Sequence, residues 1–193
     1  MLFDDFNVMR GALPEQFERR LYVQDPGTGL FSQQSLWDRN KRSHSKGFRT
    51  RSRKELWELR QLLHHLAGRK ESFYIPTFYD DLLPTATLSS GSPSLTIENV
   101  GYTKFVQNRK VSVRIHFTDG TFLDRDIESS SEIDADTEQL TLDGVWPSDI
   151  PAANVSRVEF IELVRFADDD FEITHRNARG DTDLTVPIVE VFE

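Results

Sequence analysis

The sequence predicts a mainly β protein, an antiparallel barrel or sandwich, with one amphipathic α-helix and an extended N-terminal arm. Three observations carry this. From Phe73 onward apolar residues recur at every second position and turn residues come at short intervals. A single stretch, at about 52–67, switches to helical spacing and opens on a capping signal. Residues 1–47 have no sustained apolar period. The expected organisation is an arm over 1–47 and a β-rich domain over 48–193 that includes the helix.

Within the arm, Pro14, the turn-rich Asp25-Pro26-Gly27-Thr28-Gly29 and the polar run from Asp38 to Lys46 leave room for one strand around Leu21 to Val23. Ser52 with Glu55 three residues later forms a capping-box pattern, so a helix starts there. Leu56, Leu59, Leu63 and Leu66 follow at spacings of three and four, widened by Trp57 and Leu62. Trp57, Leu59, Leu63 and Leu66 are the expected anchors of the helix on the β body. Gly68 tolerates the positive φ that ends a helix, placing the end at about Ala67.

Strands are expected near 73–78, 95–100, 110–117, 121–127, 138–143, 155–166, 171–176 and 184–191. The clearest alternation is Val111, Val113, Ile115 and Phe117 against Ser112, Arg114 and His116, and the following Asp119-Gly120 predicts a type I′ hairpin turn. Val155 to Phe166 is apolar on both faces in its middle, which suits a central strand. Pro187 demotes the last strand to an edge or a bulge.

Charge is unevenly spread. Residues 39–70 hold eleven Lys or Arg against Glu55 and Glu58, a local charge of +9 in a chain of net charge -9. The other residues carry -18. Such polarity favours head-to-tail contact between copies or docking of the basic arm on an acidic neighbour, with Arg42, Lys46, Arg49, Arg51 and Arg53 as the expected contact residues. A nucleic-acid partner is the weaker reading, since the sequence pI is about 5.1 and an acidic body repels phosphate. No apolar run is long enough to cross a membrane, and the opening Met1-Leu2-Phe3-Asp4-Asp5 lacks the pattern of an export signal.

The candidate chemistry is sparse. With no cysteine, disulfides and thiolate metal sites are excluded. His64 and His65 are adjacent, and His44, His116 and His175 are scattered, so no pair has metal-ligand spacing. No serine sits in a nucleophile elbow, and no Gly-rich phosphate loop occurs. Asp168, Asp169 and Asp170, with Asp181 and Asp183 in the next turn, are read as solvated turns, with a Ca²⁺ site as the alternative. Neither an enzymatic activity nor a cofactor is expected.

The run from Glu58 to Leu63, then Leu66-Ala67-Gly68-Arg69, Phe73-Tyr74-Ile75-Pro76-Thr77-Phe78 and Asp81-Leu82 resembles a pattern of tailed-bacteriophage tail-tip proteins. Val155 to Phe166 with Asp169, and Pro187 to Val191, are similar to the C-terminal part of the same distal tail and baseplate group. The resemblance covers about residues 50–193, and the order of the segments carries it. It implies a virion structural protein assembled in the host cytoplasm as a homo-oligomeric ring, with six copies expected, in contact with other tail proteins. The alternative is a carbohydrate-binding β-sandwich or small glycan hydrolase, suggested by the acidic loops and by Trp37, Tyr74, Tyr79, Tyr102 and Trp146.

Overall fold

The computed structural model describes residues 7–8, 15–18, 21–24, 32–35, 41–106 and 110–191. Among the described residues the fold is mainly antiparallel β with two α-helices. Its strands are β1 (Asn7–Val8), β2 (Glu15–Glu18), β3 (Leu21–Gln24), β4 (Ser32–Ser35), β5 (Lys41–Arg51), β6 (Phe73–Pro76), β7 (Ser94–Glu98), β8 (Ser112–Phe117), β9 (Phe122–Glu132), β10 (Thr137–Leu142), β11 (Val155–Phe166), β12 (Ile173–His175) and β13 (Asp181–Glu190). Helix α1 spans Arg53–Leu66 and the short α2 spans Tyr102–Phe105. The chain forms two compact units, residues 1–74 with 163–193, and residues 75–162. The boundary expected at residue 47 falls inside β5. Pro14, the 25–29 turn, Trp37 and Arg39 lie outside the described residues.

In the first unit β5 pairs with β13 along Ser43 to Arg51, and on its other side with β2 at Lys41–His44 and β1 at Phe48–Arg49. Residues 41–47, expected to belong to the extended arm, are instead paired on both sides within this sheet. The alternation that marks a strand is hidden there because Lys46 and Thr50 are buried, although both are polar.

Pro187 also sits within a paired strand, opposite Ser45, rather than at an edge. Its carbonyl accepts from the Ala167 N–H. Because the N–H and C=O of one strand residue point the same way, the missing donor faces that side and leaves the β5 ladder intact.

Helix α1 begins as its sequence predicts. Ser52 is extended, at φ -143°, and its hydroxyl accepts from the Glu55 N–H at 3.2 Å. The Glu55 carboxylate returns to the Arg51 N–H at 2.8 Å, one residue before the N-cap. Ala67 at φ 47° and Gly68 at φ 66° both turn left-handed and end the helix. The buried stripe is Leu56, Leu59, Leu62 and Leu66. Trp57 is not an anchor: it is 61% exposed. At about 100° per residue it projects on the side opposite that stripe, whereas Leu63 falls between Leu56 and Leu59 in direction and is half-buried.

The second unit pairs β11, β8, β9, β10 and β7 in that order, all antiparallel. Leu95, Ile97, Val113, Ile115, Leu140 and Val158 are fully enclosed and pack with Tyr102 and Trp146. All the strands expected from residue 73 onward form, β11 with the expected bounds. The hairpin between β8 and β9 forms with a different turn. Gly120 alone takes positive φ, at 86°, and its N–H donates to the Phe117 carbonyl at 3.1 Å, so the loop is a type I turn closed by a left-handed glycine.

Candidate functional site

The helix end and the acidic loop that follows β11 are joined in the first unit. Asp169 accepts three hydrogen bonds from Arg69: from its backbone N–H at 2.8 Å, from Nε at 2.9 Å and from Nη2 at 2.6 Å. The Arg69 side chain and N–H hold the Asp169 carboxyl below its ordinary value. Gly68 permits the approach, since a Cβ there would clash with Asp169 Oδ1, the oxygen that accepts from the Arg69 N–H. Beside this joint, α1 and residues 170–173 frame a cleft of about 480 Å³ lined by Arg60, Leu63, His64, Asp170 and Phe171.

The five loop aspartates do not converge on one place, as the alternative Ca²⁺ reading would require. Asp183 binds Arg49 at 2.7 Å and Arg176 by a second, shorter bond, and its hydrogen bond to Arg49 is the main cause of its lowered pKa. Asp168 caps the Asp169 N–H at 2.8 Å, and Asp181 accepts from Asn177 at 3.3 Å. Among the described residues, no group of three or more His, Asp or Glu side chains is arranged to hold a metal ion.

The expected basic contact residues have separate fates. Lys46 is buried within β5, Arg42 is half-buried opposite Phe17, and Arg49 is engaged by Asp183. Arg51 and Arg53 are exposed at the β5–α1 junction, with no side-chain ion pair among the described residues. Gly180 holds this junction together. At φ 97° it places its Cα so close to α1 that a Cβ would lie 2.6 Å from the Arg53 nitrogen.

In the second unit His116, Arg157 and Glu159 meet on the outer face of the β8–β11 pair. His116 Nε2 is 2.5 Å from Glu159 Oε1 and 3.0 Å from Arg157 Nη2, which also donates to Glu159 at 3.1 Å. One ring nitrogen cannot donate to the carboxylate and accept from the guanidinium together; donation places both bonds on Oε1 of the enclosed Glu159. Arg114, beside them, is forked onto Asp124 at 2.7 and 2.9 Å and stacks 4.0 Å from the Phe122 ring centre. No Ser or Thr hydroxyl is bonded to the His116 ring among the described residues. The group ties β8 to β11 through the His116–Glu159 hydrogen bond.

Sequence reasoning missed Glu138. It is fully enclosed, and its carboxylate accepts from the N–H groups of Gly101 at 2.7 Å, Tyr102 at 2.9 Å and Thr103 at 2.7 Å, at the start of α2. Burial pushes this carboxyl up, but the hydrogen bonds from Thr103, Tyr102 and Gly101 outweigh it and hold it below its ordinary value. The same burial, with Glu138 nearby, raises the Tyr102 phenol to about 12. Of the aromatic rings suggestive of sugar stacking, Tyr102 and Trp146 are enclosed, and Trp146 Nε1 donates to the Ser94 carbonyl at 2.8 Å. Tyr74 and Tyr79 remain exposed.

No protein-family model matches this chain, and no curated protein matches it in sequence.

Proposed function

We propose that the chain is a non-enzymatic structural protein of the bacteriophage virion, a part of the tail tip, baseplate or tail adaptor. It assembles in the host cytoplasm as a symmetric homo-oligomeric ring on the tail axis and contacts other tail proteins. The observation that carries this reading is the joint between Arg69 and Asp169. The segments resembling tail-tip proteins lie far apart in sequence, and these two residues, 100 positions apart, bind through three hydrogen bonds around a required Gly68. Two of the segments behind the resemblance thus carry the two partners of one built contact. The antiparallel β architecture, with its polar groups tied into strand-to-strand bonds, suits a rigid wall element.

Negative-stain imaging of the purified protein, with sedimentation velocity at low and high salt, tests the reading. Rings of uniform diameter are expected. A monomer at every protein and salt concentration would overturn it.

A further inference from the structure

Two surfaces of this chain expose large apolar side chains inside a rim of charge, and the two rims have opposite sign. The first is the outward side of α1. Trp57 falls opposite the buried leucines with Arg53 and His64 beside it, while Arg60 flanks the stripe, its half-exposed guanidinium 5.3 Å from the centre of the Trp57 ring; Arg60 and His64 also line the cleft that Asp170 borders. Lys54 borders the same side and reaches Glu58 at 3.6 Å. An indole 61% exposed thus stands among cations.

The second surface lies at one end of residues 75–162, where three segments are tied together. The Asn99 N–H donates to the Asp136 carbonyl at 2.8 Å, and its side-chain amide donates to the Asp134 carbonyl at 3.2 Å. Gly101 lies against the Phe105 ring. These contacts gather Val100, Ile133 and Phe105, all more than half exposed and Phe105 at 72%. The charge around them is carboxylate: Glu98, Glu132, Asp134 and Asp136. Lys104, beside them on α2, is engaged by Glu132 at 2.7 Å.

We propose that these surfaces are the two halves of one contact between copies, in which the α1 face of one chain docks on the acidic apolar end of the next. This rests on the homo-oligomeric reading above and specifies its interface. Exposed aromatics at the centre of a patch supply most of the energy of an interface, and rims of opposite charge orient the approach. Pairing like with like would oppose cation to cation or carboxylate to carboxylate. The chain therefore favours a head-to-tail contact, the kind that closes into a ring when the rotation between copies permits.

Sedimentation velocity on Trp57→Ala, Phe105→Ala and their equimolar mixture tests this, with thermal melts to verify folding. Each variant alone is expected to be monomeric at concentrations where the parent is oligomeric. The mixture is expected to form one-to-one dimers and nothing larger, because each pair retains a single intact contact. The charge exchange Arg53→Glu with Asp136→Arg is expected to restore association that Arg53→Glu weakens. If the parent forms rings and both single variants do so equally well, this contact is overturned while the ring reading stands. If the parent is monomeric throughout, both fall.

Discussion

The two units dispose of their carboxylates differently. Residues 1–74 with 163–193 contain 17 Lys or Arg and 17 Asp or Glu, so this unit is neutral. Residues 75–162 contain 6 against 15 and carry the whole net charge of -9. In the neutral unit aspartates meet guanidinium groups: Asp183 meets Arg49 and Arg176, and Asp169 meets Arg69. In the acidic unit many carboxylates accept backbone N–H groups instead. Glu138 caps α2, Asp119 and Asp134 close their own turns, Asp149 accepts from Ser90, and Asp81 accepts from Phe160 on β11. A carboxylate satisfied by the main chain needs no cation, which is how a unit can fold with so few.

The comparison predicts that the units differ in electrostatics and not in their cores. Leu59→Ala in the first unit and Leu140→Ala in the second remove side chains that are both fully enclosed. Each is expected to cost about 2–5 kcal/mol in urea unfolding. A negligible loss for one of them would show that its unit is held by something other than packing.

Next in size is a pair of glycines with positive φ. Gly180→Ala in the neutral unit adds a clash with the Arg53 backbone to the conformational cost, whereas Gly120→Ala in the acidic unit enters open space. The expected losses are about 2–4 kcal/mol for the first and about 1 kcal/mol for the second. Equal losses would mean that the Gly180 contact contributes nothing to holding the α1 start.

Glu138→Gln replaces an acceptor of three N–H groups by an amide that must present a donor, with an expected loss of about 1–3 kcal/mol. The folded carboxyl lies below its ordinary value of about 4.3. Its contribution is therefore complete above that pH and is lost as pH falls through the folded value. Melts from pH 7 to 3 should show a shallower acid loss in the variant. Asp183→Asn tests the other arrangement: its ion pairs are partly open to solvent, so the stability gap between parent and variant should narrow with added salt. A gap independent of salt would break the contrast between the units.

The smallest effect is expected for Trp57→Ala, within about 0.5 kcal/mol in the stability of the single chain. A larger loss in a monomeric sample would place Trp57 in a packed environment and contradict its outward position.

Much of this fold is legible in the chain because period and turn chemistry are local. The β8 alternation, the Ser52 and Glu55 capping pair and the left-handed Gly68 each act within a few residues, and each forms where expected. Polar residues hide elements whose burial depends on distant partners. The basic run from Lys41 to Arg51 reads as an arm until β13 is placed beside it, opposing Asp183 to Arg49 and Thr182 to Thr50. Glu138 reads as one of many acidic surface residues until the N–H groups of residues 101–103 are brought to its carboxylate. Trp57 departs from its expected place for another reason. A tryptophan beside a leucine stripe looks like core, although one residue's rotation, about 100°, carries it to the far side.

The amino-acid order alone establishes the antiparallel β class, the single long amphipathic helix with both its ends, and the absence of thiol chemistry, because each rests on neighbours within a turn or two of chain. The fate of individual charges is settled at long range. Whether Arg49 is a free contact or a tie to Asp183 depends on a strand 134 residues away. Whether Asp169 is a ligand in waiting or a clasp on α1 depends on an arginine 100 residues away. A charge takes its role from the group placed against it, and that placement exists only once distant strands have paired.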